Sequence, residues 1–69
     1  MYITLTNSLD VLKGNKIAIN TDIIATVYSD TVEKDSGIYE NVTYVFCPPH
    51  GTWEVSESLE TVVNLLNKK

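Results

Sequence analysis

VTYVFCPPHGTWEVSESLETVVNLL, residues Val42–Leu66, decides how this chain folds. Val42–Cys47 reads as a strand. Val42, Tyr44 and Phe46 fall on one face, and Thr43, Val45 and Cys47 on the other, because strand side chains alternate. Apolar groups on both faces predict that both are covered, one from within and the other by a second copy of the chain. Pro48-Pro49-His50-Gly51 then ends the strand. Proline offers a ladder no N–H, and Gly51 takes positive φ at no steric cost. Thr52–Val55 resumes as a strand, with Trp53 and Val55 inward and Glu54 outward. Ser56 suits a helix N-cap, with Ser58 as the alternative. Glu57 and Glu60 sit in the first turn, where the helix dipole favours negative charge. Leu59, Val62, Val63 and Leu66 follow the helical apolar spacing. Leu65 falls off that stripe and is expected to touch a partner chain. Lys68 and Lys69 suit the C-terminal end.

Upstream, Tyr2–Thr6 alternates, with Ile3 and Leu5 on one face. Asn7–Asn15 holds one short helical turn at Leu9-Asp10-Val11-Leu12 and a turn at Lys13-Gly14-Asn15. Lys16–Asn20 is a second strand with Ile17 and Ile19 inward. Asn20-Thr21-Asp22 breaks it, since Asn and Asp side chains fold back onto nearby N–H groups. Ile23–Ser29 is the third strand. Asp30–Asn41, the most polar stretch, reads as a hairpin loop or frayed strand ends. A mobile flap tipped by Ile38 and Tyr39 is the functional alternative. The expected fold is α+β: one domain over residues 1–69, with about five strands in a small curved antiparallel sheet and one C-terminal α-helix.

Sixty-nine residues bury only a modest core. One Cys excludes an intrachain disulfide, and one His excludes a zinc cage within one chain. Self-association is therefore the expected support. The net charge is −4, with five Lys and no Arg, so the phosphate backbone of nucleic acid is repelled. No apolar run approaches the length of a membrane span. With a lone free Cys and no signal-like N-terminal pattern, the cytoplasm is the expected location.

Ile17-Ala18-Ile19-Asn20, Asp22-Ile23-Ile24 and Val55-Ser56-Glu57-Ser58-Leu59-Glu60-Thr61-Val62-Val63 together resemble the FlbD-like small proteins. That group includes flagellar and swarming-motility members and phage-encoded relatives. The likeness covers about two-thirds of the chain. Asn7–Asn15 and Asp30–Asn41 are longer than the compact family pattern, and the Cys-Pro-Pro-His-Gly turn departs from it. Those additions favour a phage-type relative acting in the host-cell cytoplasm. The resemblance then implies an inhibitor of host defence, which either sequesters a small nucleotide-like ligand or blocks a host protein.

Pro48, Pro49, His50 and Trp53 form a rigid, aromatic-flanked turn suited to a small-ligand pocket. A plain hairpin turn with Trp53 filling the core stays open. Tyr28 and Tyr39 flank the long loop and could stack on a base. Ser56 and Ser58, at the helix start, could help hold an anion or simply cap. Cys47 and His50 lack a third orienting group, so no catalysis is expected. No cofactor or metal is expected within one chain. Two chains together would supply two Cys and two His, which leaves a metal-linked adaptor as one alternative. A flagellar or motility accessory protein is the other.

Overall fold

The computed structural model describes residues 1–9 and 12–68. Among them five strands form two antiparallel sheets, followed by one helix. β1 (Tyr2–Thr6) pairs with β2 (Lys16–Asn20), with Ile3 opposite Ile19 and Leu5 opposite Ile17. β3 (Thr26–Glu33), β4 (Tyr39–Cys47) and β5 (Gly51–Val55) form the second sheet in that order. α1 spans Leu59–Asn67.

A bridge between Asn7 and Val55 joins the sheets. The Ser8 N–H donates to Glu54 O at 3.0 Å, and the Ser56 N–H to Thr6 O at 2.9 Å. The Glu57 carboxylate strengthens the seam, accepting from the Thr6 N–H and from Thr6 Oγ1, each at 2.8 Å. Apolar residues at every second strand position meet inside. Ile3, Leu5, Ile19, Val45, Cys47, Val55 and Val62 form the core, with Ile17, Ile23, Ile24, Val27, Leu65 and Leu66 packed against it. No helix among the described residues is long and apolar enough to cross a membrane.

Several local expectations are corrected. The third strand starts at Thr26 rather than Ile23, because the Asn20 side chain accepts from the Asp22 N–H and winds Thr21–Ile23 into a 3-10 turn. The same strand runs on through Asp30–Glu33, and β4 begins at Tyr39, so the long loop contracts to residues 34–38. Polar side chains do not stop a hairpin whose backbone stays paired: Asp30 lies opposite Val42 and Thr31 opposite Asn41. Ser58, not Ser56, caps the helix, and its Oγ accepts from the Thr61 N–H at 3.1 Å. Ser56 and Glu57 are still engaged in the seam, and Thr43 Oγ1 holds Glu57 O at 2.6 Å. Glu57 therefore precedes the helix.

The helical stripe is also rephased. Val62 is fully buried, and Leu65 and Leu66, three and four residues on, pack against the core. Val63 is the residue turned outward. The helical turn expected across Leu9–Leu12 includes Asp10 and Val11, which lie outside the described residues, as does Lys69.

The outer face of β4 is partly covered by this same chain. Glu54, expected outward, is 6% exposed. Its carboxylate accepts from Ser8 Oγ at 2.7 Å and from Lys34 Nζ, and Lys34 also donates to Ser8 O at 2.8 Å. Val42 is buried on that face, while Tyr28 and Phe46 stay open to solvent.

Candidate functional site

The Cys47–Gly51 turn closes the β4–β5 hairpin. The His50 N–H donates to Cys47 O at 2.7 Å, and Gly51 adopts φ +114°. Glycine fits there because a Cβ disfavours that conformation. Pro48-Pro49 is a cis peptide bond. Past the turn, Trp53 lies opposite Val45, on the core-facing register of the sheet. Val45 is fully buried, yet Trp53 is 37% exposed. The core ends at this ring without covering it.

What the ring faces is a cleft of about 400 Å³. Its far wall is β2, with Ile17, Ala18, Ile19 and Asn20; Tyr2 and Ile23 line it as well, and His50 stands beside Trp53. The volume falls in the range of small-molecule sites, which are mostly apolar with a few placed polar groups. Here the polar-bearing residues of the lining are Asn20, His50 and Tyr2. Asn20 Oδ1 already accepts from the Asp22 N–H at 3.0 Å, which orients the amide.

The residues singled out in the sequence separate into distinct places. His50 and Trp53 line the cleft, with exposed Pro48 and Pro49 in the turn that carries them. Tyr28 lies on the outer face of β3, where its ring packs against Tyr44 with centroids 5.2 Å apart. Tyr39 opens β4 at the far end of the hairpin from that turn, and is exposed. Ser56 and Ser58 border a second hollow of about 350 Å³ with Ser29, Asn41, Val42, Thr43 and Glu57. That hollow carries a carboxylate, and the Ser58 hydroxyl is committed to the cap. Tyr2, Ile17, Ala18, Ile19, Asn20 and Ile23 went unnoticed as cleft residues. Their sequence signal is that of an ordinary strand and break, and only the packing of one sheet over the other sets them across from Trp53.

Cys47 and His50 are not a reactive pair in this geometry. The thiol is fully buried, and its Sγ lies 3.9 Å from Val45 O. Burial pushes the Cys47 pKa up, the opposite of an activated thiolate. His50 is exposed in the turn. A metal shared between two chains through Cys47 needs that thiol at the surface. Among the described residues, no three His, Cys, Asp or Glu side chains converge on a metal position.

No protein-family model matches this chain, and no curated protein or solved structure matches it.

Proposed function

We propose that this chain is a non-catalytic, homo-oligomeric binding protein that takes a small planar, nucleotide-like ligand in the His50–Trp53 cleft. The observation that carries the reading is Trp53. A large aromatic ring on the core side of a strand is left 37% exposed, facing a cleft of ligand size. An uncovered ring gains apolar contact when a flat partner stacks on it. The Asn20 amide and the His50 imidazole are placed to orient such a partner through polar contacts. The buried Cys47 thiol, held in its neutral form, supports binding rather than covalent chemistry.

The resemblance to FlbD-like small proteins supports the biological setting: a phage-type inhibitor of host defence, working in the host cytoplasm by sequestering its ligand. Blocking a host protein through the same turn is the second reading, favoured by the exposed Pro48-Pro49-His50 tip. Melting curves in the presence of cyclic nucleotides and ADP-ribose separate the two. Sequestration predicts a raised melting temperature and release of unchanged ligand on heating. Unshifted curves, together with a host protein captured from lysate, support the blocking mode instead. A motility role predicts flagellar genes beside its own. Turnover that vanishes in Cys47→Ala or His50→Ala would overturn the non-catalytic reading.

A further inference from the structure

The hydrogen-bonding parity of the first sheet shows which way each β2 main-chain group points. The Thr21 N–H donates to Met1 O and the Asn7 N–H to Asn15 O, each at 2.8 Å. In an antiparallel ladder, bonded pairs alternate with non-bonded ones. Ile19 and Ile17 therefore bond to β1, and the N–H and C=O groups of Lys16 and Ala18 and the N–H of Asn20 point the other way, while the Asn20 C=O, at the N-cap, serves the 3-10 turn. Among the described residues no strand lies on that side, since β2 ends its sheet. An open strand edge is a template for another strand.

β3 also ends a sheet, but its edge is blunted. The Lys34 N–H donates to Ile38 O at 2.9 Å, so the even-numbered β3 residues face β4 and the odd ones face out. The outward Thr31 N–H is already taken by Asp30 Oδ1 at 2.8 Å. Two acids, Asp30 and Glu33, sit on that strand without a base. β2 carries one charge, Lys16, and no acid.

We infer that two copies of this chain join through their β2 edges, antiparallel about a two-fold axis at Ala18. This rests on the self-association in the proposed function and names where the copies meet. In that register Ala18 lies opposite Ala18 of the partner subunit, and the small side chain leaves the axis clear. Lys16 lies opposite Asn20 of the partner subunit, whose outward N–H meets the Lys16 C=O, and the two Ala18 residues exchange both their bonds. Ile17 lies opposite Ile19 of the partner subunit on the inner face, so the apolar layer continues across the junction. Two residues past that Asn20, in the 3-10 turn beyond the strand end, Asp22 of the partner subunit brings an opposite charge to the Lys16 end of the junction, and symmetry supplies the pair twice. Lys16 Nζ now donates to Thr6 Oγ1 at an exposed position, so it is free to turn. No like charges oppose each other. The cleft runs along this same edge, with Ile17, Ala18, Ile19 and Asn20 in its wall. A second β2 seated there sets the two clefts side by side, each with the partner's strand beside it.

Sedimentation at micromolar concentration tests the interface. The wild type is expected at twice 7.7 kDa. Ala18→Pro deletes an N–H that its own sheet does not use, so circular dichroism should hold while the mass falls to one chain. Lys16→Glu and Asp22→Lys should each weaken dimerisation about tenfold, and the double swap should restore it. A wild type at one chain's mass overturns both the interface and self-association. A dimer that survives Ala18→Pro with its fold intact overturns the interface alone. If Ala18→Pro does not fold, the swaps decide: a double variant weaker than either single one overturns the interface.

Discussion

Lys34 and Glu54 form a buried ion pair between the tip of the β3–β4 hairpin and the middle of β5, each side chain 7% exposed. Two charges leave water there, a cost recovered only where every lone pair and proton finds a partner. Ser8 contacts both partners, its hydroxyl donating to Glu54 and its carbonyl accepting from Lys34, and the Tyr44 hydroxyl lies 3.3 Å from Glu54 Oε1. The network clamps the chain after β1 and the hairpin tip onto the outer face of the second sheet.

Removing one partner of that pair should be costly. Lys34→Met leaves an uncompensated carboxylate and should lower stability by about 3–5 kcal/mol in urea denaturation. Lys34→Met with Glu54→Leu should lose less than Lys34→Met alone, because no lone charge is then left buried.

The pair also sets an acid limit. Burial by itself raises the Glu54 pKa, but hydrogen bonds from Lys34 and Ser8 and the Lys34 charge outweigh it and hold the carboxyl below its ordinary value. A carboxyl depressed in the folded state contributes stability above its unfolded pKa, near 4.5. That contribution is lost as pH falls from there through the folded pKa. Melting temperature should therefore drop as pH falls below the ordinary carboxylate range. Glu54→Gln, though less stable at neutral pH, should show a flatter acid limb.

Helix capping separates two serines that the sequence leaves nearly equivalent. Ser58→Ala should cost about 1 kcal/mol through the lost bond to the Thr61 N–H. Ser56→Ala, whose main-chain bond to Thr6 survives, should stay within about 0.5 kcal/mol. Chemical denaturation of the two variants checks the assignment.

The helix phase gives a similar contrast. Val62→Ala opens a cavity beneath a fully buried side chain and should cost about 2 kcal/mol. Val63→Ala, on the outward side, should change the midpoint by less than about 0.5 kcal/mol.

These contrasts mark where the sequence was legible. Alternation in Ile3 and Leu5, in Ile17 and Ile19, and through Val42–Cys47 carried the strand pattern, because a buried face admits only one register. The Pro-Pro-His-Gly turn and the closing helix were legible for equally local reasons. The fate of Lys34 was not. A lysine among Asp, Glu, Ser and Gly has the composition of a solvated loop, and its contacts with the distant Ser8 and Glu54 are not visible in the local sequence. The helix stripe failed narrowly: Leu59, Val62 and Leu66 suit a helix whether Val63 or Leu65 flanks them, and packing against the sheets chose Leu65. His50 and Trp53 were legible as neighbours because they share one turn, and both line the cleft. The opposite wall, Ile17–Asn20, was not, because it comes from a different sheet.

Trp53 is the only tryptophan, so its emission reports on the cleft without interference. The most direct test of the account is a fluorescence titration of the intact protein with 3′,5′-cyclic AMP and with ADP-ribose. Stacking in the cleft predicts a saturable change in Trp53 emission with at least one of them, weakened in His50→Ala. Emission that neither nucleotide alters, at concentrations up to millimolar, contradicts the account.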